Sequence, residues 1–159
     1  MERKNMNLNE LIDVIKDIAS HQLGVNSVYE GYIDENWKRK DIKYGSVNIG
    51  FQSVNYDTED DTKQATYSFI LYYGDRLTND ASNRVDIWTD GFRVLQSIIN
   101  TLNNTEEAEI VGEVTYRQFG ESQFVDKLAG MYAEVEIKVD SELGLCTIDG
   151  YEWHDDRDE

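Results

Sequence analysis

The chain of 159 residues contains no proline, one cysteine and two histidines, and it sets only 15 lysines and arginines against 32 aspartates and glutamates. Each scarcity excludes something. Without proline no ladder is interrupted by a missing N–H, and the 10 tyrosines suit half-buried strands, so the composition favours a sheet-rich fold. Cys146 alone cannot form an internal disulfide, which points to a reducing compartment, and no basic neighbours mark it as a reactive thiolate. Neither His21 nor His154 has a partner at metal-ligand spacing. His21 reads as the end of a helix, where its charged form would meet the negative pole of the dipole. No apolar run follows a basic start, and no stretch approaches the ~20 apolar residues that a membrane span needs. The expectation is a soluble protein without a secretory signal, made in a cytoplasm.

The shortage of cations gives a net charge of −17. Phosphate-neutralising DNA binding depends on clustered lysine and arginine, so this charge argues against it. The surface reads either as a solubility device or as one that repels DNA and lets it slide past. With 40% hydrophobic residues, a chain this long can bury a core without metals or disulfides. One domain is expected over 1–159, with a folded core over 7–145 and an acidic tail over 146–159.

What is present has clear periodicity. Leu8, Leu11, Ile12, Ile15, Ile18 and Ala19 share one face of a helix expected over 8–22. Asn7 and Glu10 fit a capping box, and Gly24 fits a terminator. A short strand is expected over 27–32, then a polar segment over 34–43. Val47, Ile49 and Phe51 alternate, and a slip at Ser53–Val54 suggests a bulge. Ala65, Tyr67, Phe69, Leu71 and Tyr73 mark a strand over 64–73 that Gly74–Asp75 would close. The polar stretch Asp57–Thr62 reads as a hairpin connection.

Ala81, Val85, Trp88, Phe92, Leu95, Ile99 and Leu102 step by four and three, widened by Ile87, Val94 and Ile98. This pattern predicts a second helix of about 23 residues and about 34 Å, capped by Asn79 or Asp80 and ended by Asn103–Asn104. Its broad stripe suits packing on a sheet. Gly91 inside it costs about 1 kcal/mol relative to alanine, which suggests close approach to a neighbour. Strands over 110–119 and 131–139 follow, the latter with Glu134 and Glu136 outward. The fold class is therefore α+β: a mostly antiparallel sheet packed against a long central helix, with a short N-terminal helix.

Catalytic chemistry finds no scaffold here. The sequence has no Gly-x-Ser-x-Gly, no phosphate-cradling glycine loop and no paired-carboxylate motif. Asp57, Glu59, Asp60 and Asp61 offer clustered oxygens, but the glycine and distal glutamate of a calcium loop are missing. The expectation is a non-enzymatic protein without metal or cofactor.

Two segments stand out as candidate contacts. Trp37, Lys38, Arg39 and Lys40 place three cations beside a tryptophan in an acidic chain. Either the tryptophan tucks back onto the core above a solvated loop, or the segment meets an acidic patch such as Asp57–Asp61 on a neighbouring subunit. The loop over 120–130 carries Phe124, Val125 and Leu128, too many apolar groups for a free linker. It either folds over the core or is buried in a partner.

The order of elements resembles that of phage tail-terminator and head–tail connection proteins. A short N-terminal helix precedes the aromatic strand Tyr67-Ser68-Phe69-Ile70-Leu71-Tyr72-Tyr73. A long helix through Ser97-Ile98-Ile99 and a closing strand Met131-Tyr132-Ala133-Glu134-Val135-Glu136-Ile137 complete the pattern, over roughly 7–145. The resemblance implies a structural virion protein at the tail or neck. It would form a ring with itself, often a hexamer, and meet tail-tube or neck proteins while DNA crosses an acidic bore without specific binding. Neither the acidic tail after Cys146 nor the Trp37 loop has a counterpart in that pattern. The main rival is a soluble adaptor or accessory domain that binds another protein; a more distant one is a small enzyme whose carboxylates converge only in the fold.

Overall fold

The computed structural model describes residues 5–39, 41–57, 59, 63–120 and 127–141. The chain folds as α+β, with three helices and a six-stranded sheet. Helix α1 covers Leu8–Ser20, and Asn7 and Glu10 close the expected capping box, the Glu10 N–H donating to the Asn7 side chain at 2.9 Å. Strand β1 (Ser27–Glu30) leads through a short helix α2 (Ile33–Asn36) into β2 (Ser46–Tyr56). Strand β3 (Gln64–Arg76), helix α3 (Arg84–Asn103), and strands β4 (Ala108–Ile110), β5 (Tyr116–Gly120) and β6 (Leu128–Asp140) complete the chain order.

The sheet order is β1-β2-β3-β6-β4, with β5 also paired to β6. It is mixed: β1 runs parallel to β2, and the remaining pairs are antiparallel. The parallel pair follows from the connection between Glu30 and Ser46. A tight turn allows only antiparallel pairing, whereas a crossover of a dozen or more residues can bring the chain back in the same direction. The bulge read from the sequence falls between Phe51 and Ser53. It switches which parity of β2 faces the helices, so that Val47, Ile49 and Phe51 share a face with Val54 and Tyr56.

One face of the sheet carries α1 and α3. Ala65, Phe69, Leu71 and Tyr73 of β3 and Ala133, Val135, Ile137 and Val139 of β6 are buried there, against Leu11 and Ile15 of α1 and Leu95, Ile98 and Leu102 of α3. Each fully buried Leu, Ile or Val contributes about 1.5–3 kcal/mol of transfer free energy, so this layer supplies the main drive to fold.

Several expectations are corrected. Strand β3 does not close at Gly74–Asp75; it pairs with β6 through Arg76. The span 110–119 is two short strands, because the edge departs from β6 around Gly112 (φ +72°) and rejoins it at Tyr116 opposite Ala133. Helix α3 begins at Arg84, not near residue 80. The Asp80 side chain accepts from the Ser82 N–H, and the Asn83 side chain accepts from the Thr78 N–H, so both stabilise a turn that delays the helix.

The buried stripe of α3 is also rotated from the expected one. Ile87, Gly91, Val94, Leu95, Ile98, Ile99 and Leu102 face the core, while Val85 is 65% exposed and Phe92 42%. Gly91 decides the rotation. A Cβ there would lie 3.0 Å from Met131 Cγ and 3.1 Å from Tyr73 Cδ1, so the backbone itself is pressed onto the sheet.

Candidate functional site

Of the residues singled out in the sequence, Trp37 and Leu128 pack on the second face of the sheet. Residues 37–39 and 41–44, entered through α2, fold back over one end of that face. Trp37 is 1% exposed and packs with Ile42 and Leu128. Tyr72 and Phe119 surround the indole, with ring centroids 6.2 and 5.9 Å from it. Two of the candidate contact residues, Trp37 and Leu128, are therefore brought together, but as a second core. Trp37 supplies no exposed anchor, and Leu128 belongs to β6 and not to a loop. Phe124, Val125, Lys40, Asp60, Asp61, Cys146 and His154 lie outside the described residues.

A buried polar network holds this cap to the sheet. The Asn36 side-chain amide donates to Asn48 Oδ1 at 2.7 Å, and Asn48 Nδ2 donates to the Gly31 carbonyl at 3.1 Å. Asn48 is fully buried, so each of these bonds offsets a desolvation cost that water would otherwise have removed.

Lys38 and Arg39 remain exposed on the outer surface of the cap. Arg39 donates to both carboxylate oxygens of Asp41 at 3.1 Å and lies over the Tyr29 ring, 5.0 Å from its centroid. That hydrogen-bonded pair holds the Asp41 carboxyl below the ordinary carboxylate range and raises the Arg39 guanidinium further. Tertiary structure adds cations the sequence did not group here. Lys43 continues the same segment, Arg76 lies over the Tyr44 ring at 5.0 Å, and the Lys127 carbonyl accepts from the Leu77 N–H.

The acidic candidates lie at the other end. Asp57 accepts from the Glu59 N–H at 2.9 Å, and both residues are exposed on the β2–β3 connection. Trp37 packs on Gly74, whereas the connection follows the Tyr56–Ala65 pair. Nine residues of β3 separate those levels, about 30 Å at roughly 3.3 Å per residue. Within one subunit the two candidate patches do not meet.

Between them the second sheet face carries a groove of about 460 Å³. Gln52, Ser68 and Ile70 form its floor with Glu134 and Glu136, and Glu113 stands on its wall. The register Ser68–Glu136 and Ile70–Glu134 sets the strand residues side by side, and the excursion around Gly112 brings Glu113 to them. The outward direction of Glu134 and Glu136 was readable from alternation. The contribution of Glu113 was not, because it depends on where the edge leaves β6.

On the helix face, the flank of α3 that the sequence placed in the core packs partly on β5. Trp88 Nε1 donates to the Phe119 carbonyl at 3.1 Å, and Phe92 meets Tyr116 edge-on at 4.9 Å between centroids. His21 caps the end of α1, its Nδ1 lying 2.7 Å from the Asp17 carbonyl. Among the described residues no group of three or more His, Cys, Asp or Glu is placed to hold a metal ion, and no helix is long and apolar enough to cross a membrane. No family profile matches the chain, and no curated protein matches it. The described residues present exposed cations on the cap and exposed carboxylates in the groove and on the β2–β3 connection.

Proposed function

We propose that this chain is a non-enzymatic structural subunit that assembles with copies of itself into a ring, of the kind that ends a phage tail or joins tail to neck. The observation that carries this reading is the separation of charge along the sheet. Lys38 and Lys43 stand exposed on the Trp37 cap, where Arg39 is paired with Asp41. Exposed carboxylates lie apart from them, in the second-face groove and, about 30 Å away, at Asp57 and Glu59. Unlike patches that cannot meet within one subunit can meet between two. Repeating such a head-to-tail contact closes a ring when the rotation allows it. The mostly antiparallel strands and the 20-residue α3 are in keeping with the element order of tail-terminator proteins. The net charge of −17 suits a bore through which DNA passes, since phosphates are repelled from its wall.

Light-scattering mass in solution, followed by negative-stain imaging, tests the reading. Closed rings of one size are the expected result. A second reading, an adaptor domain that binds another protein, is favoured by the exposed Val85 and Phe92 on α3. A chain that stays monomeric at all concentrations and captures one partner would select that reading over the ring.

A further inference from the structure

We infer that the mate of the basic cap is the carboxylate groove on the second sheet face of another copy of this chain, not the Asp57–Asp61 connection. The inference rests on the reading of the chain as a self-assembling subunit and names the surfaces that meet. Three observations favour the groove. It is concave, with about 460 Å³ of space. Glu134 and Glu136 stand on β6 in the centre of the molecule, paired across to β3, so their positions are fixed before a partner arrives. Among the described residues no ion pair engages Glu113, Glu134 or Glu136, although all three line the groove. Lys138 and Arg117 lie on the same face, opposite Glu109 of β4 and Tyr132 of β6.

The occupant follows from charge. A groove walled by three carboxylates selects cations, and this chain has few to offer. Of its 15 lysines and arginines, Lys38, Lys43 and Lys127 are exposed around the Trp37 cap, together with Arg39, which is paired with Asp41. Lysine stems can lie along Ile70 while their ammonium groups reach the carboxylates. Burying Trp37 under the segment fixes the backbone that carries Lys38 and Arg39, which lowers the ordering cost of docking.

The test uses the full chain in two charge-reversed forms, Glu134→Lys/Glu136→Lys and Lys38→Glu/Lys43→Glu, with assembly read as mass against concentration. Each form alone should need at least about ten-fold more protein to assemble, and the wild-type midpoint should rise with salt. An equimolar mixture should recover assembly, because each reversed surface then meets its complement. Circular dichroism checks folding; should a reversal unfold the chain, Glu134→Gln/Glu136→Gln replaces it, with a weaker shift in the same direction expected. Reversed forms that assemble like wild type, or a mixture that recovers nothing, would overturn the contact while leaving ring assembly standing. Dimers that show the reversal and recovery pattern would keep the contact and overturn the ring. A monomeric wild type that binds an octalysine peptide through the groove would assign the groove to another protein and overturn the self-contact.

Discussion

Trp37 closes over Gly74: a side-chain carbon built at residue 74 would lie 2.5 Å from Cη2 and Cζ3 of the indole. The absence of a side chain at one point of β3 is therefore what lets the cap seat. Adding one methyl there forces the buried ring to move, which typically costs about 1–3 kcal/mol, and Trp37→Ala should cost about 3–5 kcal/mol. Thermal melts of Gly74→Ala, Trp37→Ala and the double variant check this. With the indole removed, Gly74→Ala should be nearly neutral. If Gly74→Ala is as damaging without Trp37 as with it, the contact is not the cause.

The rotation of α3 has its own signature. Leu95→Ala and Ile98→Ala remove fully buried side chains and should each cost about 2–5 kcal/mol. Val85→Ala sits on the exposed flank and should stay within about 0.5 kcal/mol. Denaturant midpoints of the three variants decide it. Equal losses at Val85 and Leu95 would restore the stripe expected from the sequence.

Alkaline pH provides a third check. Burial first, then the nearby charges of Asp75 and Asp90, push the Tyr73 hydroxyl up from its ordinary value of 10.0 to about 12. A group whose folded value is raised holds its proton more tightly in the folded state. Its stabilising contribution is complete below about pH 10 and lost as pH rises toward about 12. Wild type should therefore lose stability across that window, and Tyr73→Phe should lose less. Parallel alkaline melts of the two proteins with the same slope would show that other groups carry the loss.

Melting curves in calcium, magnesium or EDTA should superimpose. Clustered carboxylates bind a hard cation only when several oxygens converge at fixed distances, and no such group exists among the described residues. A rise of several degrees in micromolar calcium, removed by Asp60→Asn, would assign a cation to the Asp57–Asp61 connection.

Much of the secondary structure was legible because it is local. The capping box at Asn7 and Glu10, the alternation of β3 and β6, and the bulge after Phe51 each follow from a few neighbouring residues. The candidate contacts were less legible. A tryptophan beside three cations looks the same in sequence whether its ring is exposed or folded under. Ile110 to Phe119 likewise looks like one strand until the departure at Gly112 is known.

The sequence by itself determined the class of fold, the faces of its strands, the shortage of cations and the scarcity of histidine and cysteine. These depend on composition and on periods of two and of three to four residues. Only the tertiary structure decided which flank of α3 is buried, where Trp37 goes, and that Glu113 joins Glu134 and Glu136. Each of those outcomes rests on a contact between distant parts of the chain: Gly91 against Met131, Trp37 against Gly74, the turn at Gly112 against β6. Periodicity fixes which side chains share a face, but packing between distant segments chooses what that face meets.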